Sequence, residues 1–455
     1  MRMEQQFSAV TEDELAEFGR TMGRLRAMPL EDPLRMRGEE LAASFARESR
    51  NKRRKARRRA VSEADARLSA ATATGALDRR EDAPLPARRG SVGEFLKPRH
   101  CYVCKGLYRR ADAFYHRLCP GCAADNTARR ALSTDLGGRR VLLTGGRVKI
   151  GFQLALMMLG DGAELLVTSR FPHDTLRRFR AAEGSGEWLD RLTVLAIDLR
   201  DPRQVLGLCE RLLADGRPLD VLVNNAAQTI RRPPESYAAL AAGERGELPR
   251  GVVAAPGYAP ALPAAGGAGA LALVLDGDGD AGVTTDEAGL LPDPAPDNSW
   301  SARLGGLDPA DLLEAQLVNA VAPALLCDRL LPLLLASPRP RRYIVNVSAV
   351  EGRFAVRNKT AGHPHTNMAK AALNMLTRTS AEELARQGVH MCSVDTGWIT
   401  DENPAPRKAR IAAAGTRTPL DVVDGAARVY DPIVRGEAGA PVTGVFLKDY
   451  RPAAW

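Results

Sequence analysis

The feature that most constrains the fold is a regular alternation of short apolar strands with helices after residue 139. The predicted strands cover residues 140–144, 164–168, 192–197, 220–223, 343–347, 389–394 and 444–448. The predicted helices cover residues 150–159, 202–213, 309–336 and 365–387. Alternation with short connections predicts a doubly wound α/β fold, in which helices cover both faces of a parallel sheet.

The first of these strands runs directly into a glycine turn, TGGRVKIG, at residues 144–151. Glycines permit a tight turn between a strand and a helix and allow phosphate groups to approach the backbone. The amides at the beginning of the following helix attract such groups. The motif alone is common, so its meaning depends on its companions.

Five further motifs follow the turn in order. They are Ile197-Asp198-Leu199 after the third strand, LVNNAA at 222–227, Val318-Asn319 in the long helix, AKAA at 369–372 and DTGWIT at 395–400. With the glycine turn, they make the chain from about residue 139 to 449 resemble the short-chain dehydrogenase/reductase family. The resemblance implies a Rossmann-type domain over residues 138–455. The chain departs from the family motifs at Lys149 (usually the middle glycine), Ala227 (usually glycine) and Thr396 (usually proline).

The resemblance places a dinucleotide against the glycine turn and the ends of the strands. The residues implied to contact it are Thr144, Gly145, Arg147, Ile150, Gly151, Arg170, Asp198, Leu199, Asn224, Ala226, Lys370 and Ile399. A fold that selects NAD(H) usually ends its second strand with an acid, whereas this strand ends in Arg170. Arg147 and Lys149 add positive charge, and arginine binds phosphate through paired donors. Unless these side chains point to solvent, we expect NADP(H), with NAD(H) as the alternative.

The family's catalytic residues are only partly present. The family uses a tyrosine four residues before its lysine, and the residue four before Lys370 is Thr366. An alkyl hydroxyl is far less acidic than a phenol, so Thr366 is a poor proton donor. The family serine falls at Ala349 in the usual register, with Ser348 one place earlier. Asn319 and Lys370 are intact.

Three hypotheses account for the missing tyrosine. Either His363 or His365 replaces it, because histidine titrates near neutral pH, although histidines beside a proline are often structural. Alternatively, a substrate group or a water relay fed by Lys370 carries the proton. In the third hypothesis the core binds a nucleotide without redox chemistry. Tyr237 and Tyr258 could also reach the site. The candidate catalytic residues are therefore Asn319, Ser348, Thr366, Lys370 and His365.

The first functional hypothesis is an NADP(H)-dependent oxidoreductase that acts on a carbonyl or an alcohol. Lys370 would hold the nicotinamide ribose, Asn319 would order a water, and Ser348 or Thr366 would orient the substrate oxygen. The residues do not identify the substrate. The second hypothesis is a catalytically degenerate nucleotide-binding scaffold whose N-terminal segments bind nucleic acid or a protein partner.

Two Cys-x2-Cys pairs precede the α/β core, within residues 101–122. Cys101, Cys104, Cys119 and Cys122 can offer four thiolates to one tetrahedral ion, which is typical of structural zinc. Redox-active pairs are the alternative. His100 and His116 are adjacent, and we expect them at the surface or in supporting positions rather than as ligands. The pattern predicts a zinc module over residues 96–135.

A basic run lies in the N-terminal region, which we predict to be a helical arm and linker over residues 1–95. Residues 50–59 contain eight basic side chains and no acid. The net charge is +9, and without this run 56 basic residues face 55 acidic ones, so the excess charge is local. Charge on every face excludes a core helix. Such a run can bind nucleic acid phosphates or a protein partner, or it can remain solvated.

Residues 231–306 interrupt the alternation with a stretch rich in alanine, glycine and proline. It is too long for an ordinary connection in this fold, and we interpret it as an insertion over the sheet edge and a candidate lid.

No uninterrupted apolar stretch approaches the ~20 residues that span a bilayer. The first residues are partly acidic and do not resemble a signal peptide. We therefore expect a cytoplasmic protein without a membrane partner, and a homo-oligomer is compatible with the sequence.

Overall fold

The computed structural model describes residues 9–81, 83–260, 285–286, 288–291, 295–356 and 359–455. The chain divides into two compact units, Met1–Arg67 and Leu68–Trp455. Residues 261–284, 287 and 292–294 of the predicted insertion lie outside the described residues. The predicted domain limits at residues 95 and 135 stay predictions.

Helices make up the first unit: α1 (Glu12–Ala27) and most of α2 (Pro33–Ala70). A capping box begins α1, in which the Thr11 hydroxyl accepts a hydrogen bond from the Glu14 backbone nitrogen (3.2 Å) and the Glu14 carboxylate accepts one from the Thr11 backbone nitrogen (2.8 Å). The whole basic run lies on α2, and residues 50–59 are exposed.

The second unit begins with a small cysteine module. Its strands β1 (Ser91–His100) and β2 (Leu107–Asp112) are antiparallel, and the turn between them holds Cys101 and Cys104. Cys119 is the N-cap of α3 (Pro120–Arg129), where Pro120 suits the first turn. The first cysteine pair therefore lies in a turn, and the second lies at the beginning of α3.

Nine strands form the main sheet. They are β3 (Arg140–Leu143), β4 (Glu164–Ser169), β5 (Leu192–Ala196), β6 (Val221–Asn224), β7 (Val252–Ala254), β8 (Arg342–Ser348), β9 (Val389–Asp395), β10 (Phe446–Lys448) and β11 (Arg451–Ala453). The strand order is β11-β10-β9-β8-β6-β3-β4-β5-β7, and all neighbours are parallel except β10 and β11. The order reverses between β3 and β6, and ligands bind at such switch points. The predicted doubly wound parallel sheet is confirmed.

Helices cover both faces of this sheet. The helices of this part of the chain are α4 (Lys149–Gly160), α5 (Pro172–Arg180), α6 (Pro202–Asp215), α7 (Ala238–Gly243), α8 (Pro309–Gln316), α9 (Ala322–Leu335), α10 (Pro364–Arg386), α11 (Ala405–Ala413) and α12 (Val422–Glu437). On β3, Val141 and Leu143 belong to the core beneath α4, α5 and α12. Leu142 belongs to the opposite core, beneath α6, α9 and α10. Successive strand residues point to opposite faces, which explains why these strands are apolar throughout.

A π-helical turn, Leu317–Val321, joins α8 to α9 without a break. The combined stretch Pro309–Leu335 is long and apolar enough to cross a membrane, the one such helix in the described part of the chain. Leu326, Leu330 and Leu334 are fully buried against the sheet. These contacts are those of a core helix.

The insertion contributes a strand that the sequence did not predict. β7 extends the sheet beyond β5, with Val252 opposite Val194 and Ala254 opposite Ala196. The described part of the insertion therefore contacts the edge of the sheet.

Candidate active site

The glycine turn lies between β3 and α4. Gly145 has a φ of +70°, and a Cβ there would approach the Ala226 Cα to 2.8 Å. A Cβ on Gly151 would approach the Gly145 carbonyl oxygen to 2.1 Å. Both positions therefore require glycine. Because α4 begins without a side-chain cap, its first backbone amides are available to an anion.

Thr144 fixes this turn to the loop after β6. Its hydroxyl accepts hydrogen bonds from the backbone nitrogens of Asn225 and Ala226, both at 2.9 Å. In return, Asn225 Nδ2 donates to the carbonyls of Thr144 and Gly145, both at 3.0 Å. Thr144 and Asn224 are buried, so they support the site from behind.

Lys149, at the position of the family's middle glycine, has a φ of +55°. A left-handed conformation costs an ordinary residue about 1–2 kcal/mol. Its Nζ lies 3.8 Å from Oε1 of Glu402, in the loop after β9. Burial raises the pKa of Glu402, but the charge of Lys149 and the Thr400 hydroxyl lower it below its ordinary value. The pair therefore links two loops that line the site.

Arg170 follows β4 directly. Its guanidinium lies 5.6 Å from the ring centroid of Phe171 and 5.4 Å from that of Tyr237. Its carbonyl accepts a hydrogen bond from the Tyr258 hydroxyl at 3.0 Å, so both tyrosines of the insertion contact Arg170. No described carboxylate forms an ion pair with Arg170, which leaves its guanidinium available to a phosphate.

Two other charged residues that line the cleft, Asp198 and Arg147, already form ion pairs within the protein. The Asp198 carboxylate accepts hydrogen bonds from Arg200, the shortest at 2.6 Å. Burial raises the pKa of Asp198, but the bonds from Arg200 lower it below its ordinary value. Arg147 donates to Oδ2 of Asp174 at 2.7 Å. Arg147 lines the site, but its charge is largely balanced inside the protein.

Asn319 is fully buried in the π-helical turn. Its Oδ1 accepts a hydrogen bond from the backbone nitrogen of Gln228, and its Nδ2 donates to the Gln228 carbonyl, both at 2.8 Å. Such turns are frequent at functional sites. Asn319 therefore holds the loop after β6 against the long helix.

Lys370 on α10 is only 4% exposed. Its Nζ donates a hydrogen bond to the Val347 carbonyl at 2.8 Å. Burial lowers the pKa of this ammonium group to about 8. Lys370 can therefore gain or lose a proton close to neutral pH.

Ser348 and Ala349 leave the usual serine position without a free hydroxyl. The Ser348 hydroxyl donates to Oδ1 of Asn374 at 2.7 Å and is buried. The Ala349 side chain carries no polar group. The Ser348 hydroxyl proton is therefore donated to Asn374 and not to the cleft.

Thr366 and His365 lie in the first turn of α10 and are buried. Thr366 Oγ1 and His365 Nδ1 have no hydrogen-bond partner within the described residues. Burial lowers the pKa of His365, which favours the neutral ring. His363 instead stacks on Trp300, with 3.8 Å between the ring centroids. Two buried polar atoms therefore lack partners at and beside the position of the missing tyrosine.

The segment after β9 contacts the cysteine module. Ile399 is buried in an apolar cluster that includes residues of that module. The backbone nitrogen of Trp398 donates a hydrogen bond to the Tyr102 hydroxyl at 2.9 Å. Thr396 and Thr400 line the cleft in front of this segment.

One cleft of about 430 Å³ extends from the glycine turn to Lys370, a size typical of small-molecule sites. Most predicted cofactor residues line it: Gly145, Arg147, Ile150, Gly151, Arg170, Asp198, Leu199, Ala226 and Lys370. Ser348 also lines it. The lining does not include Thr144, Asn224, Asn319, His365, Thr366 or Ile399.

Sequence reasoning missed Arg200, Arg232 and Glu402, which also line the cleft. Arg200 stands two residues after Asp198, and this proximity could have indicated it. No motif marks Arg232 or Glu402, because each reaches the cleft from a separate loop.

The four cysteines of the module come together, with all Sγ atoms within 4.8 Å of one another. The Sγ atoms of Cys104 and Cys119 are 3.7 Å apart. A tetrahedral zinc with Zn–S bonds of ~2.3 Å requires S–S separations of about 3.8 Å. The Cys119 backbone nitrogen also donates to Sγ of Cys101 at 3.3 Å, a contact that stabilises a thiolate. These residues fit a four-thiolate zinc site.

A glycine turn at the sheet's switch point and a buried lysine in the same cleft define a dinucleotide-binding α/β protein of the oxidoreductase class. The chain belongs to the short-chain dehydrogenase/reductase family. The family model described as "short chain dehydrogenase" matches residues 139–241. A second family model, described as "Enoyl-(Acyl carrier protein) reductase", matches residues 293–423.

Two curated proteins are similar to this chain in sequence. The C-signal protein of Myxococcus xanthus is 30% identical over 126 residues, which are 28% of this chain and 74% of that protein. An uncharacterized protein of Acanthamoeba polyphaga mimivirus is 29% identical over 353 residues, 74% of this chain and 71% of that protein. Among solved structures, a short chain dehydrogenase from Burkholderia cenocepacia in complex with NADP is 20% identical, with a TM-score of 0.45, over 69% of this chain and 97% of that chain.

Proposed function

We propose that this protein is an NADP(H)-dependent oxidoreductase that interconverts a carbonyl and an alcohol. The observation that carries the proposal is the position of Lys370, whose buried ammonium group lies in the same cleft as the glycine turn. When bound, NADPH supplies the hydride that reduces a carbonyl carbon. The residues of the cleft must bind the cofactor and provide a proton to the substrate oxygen.

The preference for NADP(H) rests on Arg170. It lies at the end of β4, where NAD-selective proteins place an acid, and no described carboxylate forms an ion pair with it. Its planar guanidinium can bind a 2′-phosphate through two parallel hydrogen bonds. The uncapped beginning of α4 would hold the pyrophosphate.

The proton requires a new route because the tyrosine is absent. Thr366 precedes Lys370 by one helical turn, so the two side chains lie on the same face of α10. We propose that Lys370, which lines the cleft, gives its proton to the substrate oxygen through a water, and that Thr366 Oγ1, which is buried beside the cleft and has no described partner, holds this water. An N–H bond of the Lys370 ammonium breaks, the proton passes through the water, and an O–H bond forms on the reduced substrate. His365 is the alternative donor, through its unpartnered Nδ1.

The test is NADPH oxidation with a panel of aldehydes and ketones, followed by absorbance, in the wild type, Lys370→Met and His365→Ala. We expect turnover in the wild type, its loss in Lys370→Met and its retention in His365→Ala. Loss in His365→Ala alone would assign the proton to the histidine. Tight NADPH binding without turnover would instead favour the catalytically degenerate scaffold.

We also propose that the cysteine module holds one structural zinc ion. The tetrahedral spacing of the sulfur atoms supports this assignment. All four ligands are cysteines, so the ion keeps no open position for a substrate. Its role is to hold the module folded.

A second function, nucleic acid binding, is favoured by the exposed basic run on α2. Its members are Arg50, Lys52, Arg53, Arg54, Lys55, Arg57, Arg58 and Arg59. Lys52 pairs with Glu48 and Arg59 with Glu63, and none of the other six forms an ion pair with a described carboxylate. Six phosphate contacts would make log K fall with log salt concentration at a slope of about −5.

Fluorescence anisotropy with a short DNA or RNA duplex at several salt concentrations measures this slope. Replacing the six unpaired residues by glutamine should abolish binding, whereas replacing Arg203 and Arg386, which are also exposed, should not. Equal binding by both variants would exclude the run as a nucleic acid site and leave a protein partner or a solvated helix.

A further inference from the structure

The cysteine module contacts, through Tyr102, the 395–400 segment, which lines the same cleft as Lys370, the proposed ligand of the nicotinamide ribose. This tyrosine follows Cys101, and its hydroxyl accepts a hydrogen bond from the backbone nitrogen of Trp398 at 2.9 Å. Trp398 belongs to the 395–400 segment, whose threonines 396 and 400 line the cleft on its other side. One short segment thus separates the cysteine turn from the cleft.

Two further contacts hold the same segment from the side of the module. The guanidinium of Arg117 lies 5.6 Å from the ring centroid of Trp398. The Ile399 side chain packs in a core with Phe95, Tyr108 and Leu118. The module therefore fixes the backbone of Trp398, its ring and the next side chain.

The module also holds the residues that follow this segment. Arg79, in the segment before β1, donates to the carbonyls of Thr418 and Leu420, at 2.6 and 2.7 Å. Arg130 forms two hydrogen bonds with Asp421, the N-cap of α12, and Tyr115 donates to Asp424 at 2.6 Å. These bonds leave the module little freedom to move relative to the cleft.

The position of Tyr102 depends in turn on the cysteine turn. Tyr102 lies between two of the four cysteines, and its backbone nitrogen donates to the Arg117 carbonyl at 2.8 Å. A metal bound by Cys101 and Cys104 would fix this turn. Without the metal, only a few backbone hydrogen bonds would hold the turn in place.

We propose that Tyr102 is a positioning residue that fixes the 397–399 backbone behind the nicotinamide, so that metal binding by the four cysteines is coupled to affinity for the nicotinamide half of the cofactor. The inference rests on the proposed NADP(H) function. It assigns to the zinc module a role in the site besides stability. The described contacts of Arg170, the proposed ligand of the 2′-phosphate, are with Phe171, Tyr237 and Tyr258 and not with this segment. We therefore expect binding of the adenosine half to be independent of Tyr102.

The test compares two ligands, NADPH and 2′,5′-ADP, which carries the phosphorylated adenosine half but no nicotinamide. Isothermal titration of the zinc-loaded 455-residue chain gives both dissociation constants. Tyr102→Phe removes the hydroxyl with little change in volume. We expect about five- to tenfold weaker NADPH binding, since the hydrogen bond to the Trp398 backbone is lost, and unchanged 2′,5′-ADP binding.

The matched control is Tyr108→Phe, since Tyr108 donates to the His116 carbonyl inside the module and not to the segment. Both ligands should bind it as they bind the wild type. Arg117→Gln tests the same segment without altering a buried hydroxyl and should weaken NADPH binding selectively. Removal of zinc by a chelator should likewise weaken NADPH binding and leave 2′,5′-ADP binding unchanged.

Unchanged NADPH binding in Tyr102→Phe and Arg117→Gln would overturn the inference. Equal weakening of both ligands would overturn it as well, because it would show a general loss of structure. If the wild type binds neither ligand, the proposed NADP(H) function is wrong instead.

Discussion

The ammonium group of Lys370 lies 2.8 Å from the carbonyl oxygen of Val347, and no described carboxylate forms an ion pair with it. A buried lysine without a counter-charge is costly to keep protonated, and burial lowers its pKa to about 8. The family's lysine is preserved here although its tyrosine is not. This combination makes Lys370 the strongest candidate for the proton source.

The pH dependence of turnover tests this role. If Lys370 is the proton donor, carbonyl reduction requires its protonated form, so kcat/KM should be constant below pH 8 and fall about tenfold per pH unit above it. Alcohol oxidation requires the neutral amine and should rise up to pH 8 and then level off. In Lys370→Met both limbs should disappear and the rate should fall by about 100-fold or more. A limb near pH 8 that persists in Lys370→Met would assign it to another group.

The burial of Lys370 should also lower the free energy of unfolding of the protein. Its pKa falls from the ordinary 10.5 to about 8 in the folded protein, so the unfolded chain binds more protons between these pH values. Stability is therefore lowered at and below pH 8, by about 3 kcal/mol, and recovers as the pH rises toward 10.5. Lys370→Met loses one hydrogen bond, worth about 1 kcal/mol, and should gain about 2 kcal/mol at pH 7.

Urea unfolding at pH 7 and at pH 10 measures this difference. The gain of Lys370→Met should be present at pH 7 and largely absent at pH 10. A variant that is less stable than the wild type at pH 7 would contradict the prediction.

Thr366→Tyr should restore the family's proton donor. The new phenol would stand four residues before Lys370, whose positive charge lowers the pKa of a neighbouring phenol. We expect kcat for carbonyl reduction to rise at least tenfold. Thr366→Phe is the control, because it adds the same ring without the hydroxyl and should not gain activity. If both variants respond alike, the change is one of packing and not of proton transfer.

Arg170→Gln tests the choice between the two cofactors. Loss of a charge-assisted bond to the 2′-phosphate should weaken NADPH binding by about 10- to 100-fold. NADH lacks that phosphate, so its binding should be nearly unchanged. Arg203→Gln removes an exposed arginine that pairs with Asp201 and should affect neither cofactor. Titration of NADH and of NADPH into both variants measures these affinities. If Arg170→Gln weakens the binding of both cofactors equally, Arg170 has no role in choosing between them.

The sequence predicted the parallel sheet and its ligand-binding edge because buried strands must be apolar on both faces. It did not predict β7, since Val252–Ala254 is too short to show periodicity and lies in a stretch without it. The sequence also predicted that Arg147 is free to bind a phosphate, whereas in the structure Arg147 forms an ion pair with Asp174. Contacts between separate elements, such as Ser348 with Asn374 or Trp398 with Tyr102, leave no trace in local sequence. The predicted roles of these site residues stay predictions.

Cys104→Ser separates a structural metal from four free thiols. The Cys104 side chain is exposed, so in a metal-free protein its replacement by serine should change stability by less than about 0.5 kcal/mol. If Cys104 binds zinc, the replacement should lower metal content below one ion per chain and reduce the free energy of unfolding by at least about 2 kcal/mol. Metal analysis and urea unfolding measure both quantities. Cys209→Ser, far from the module in the opposite core, should keep its zinc. Wild-type stability and an unchanged zinc content in Cys104→Ser would refute the four-cysteine site.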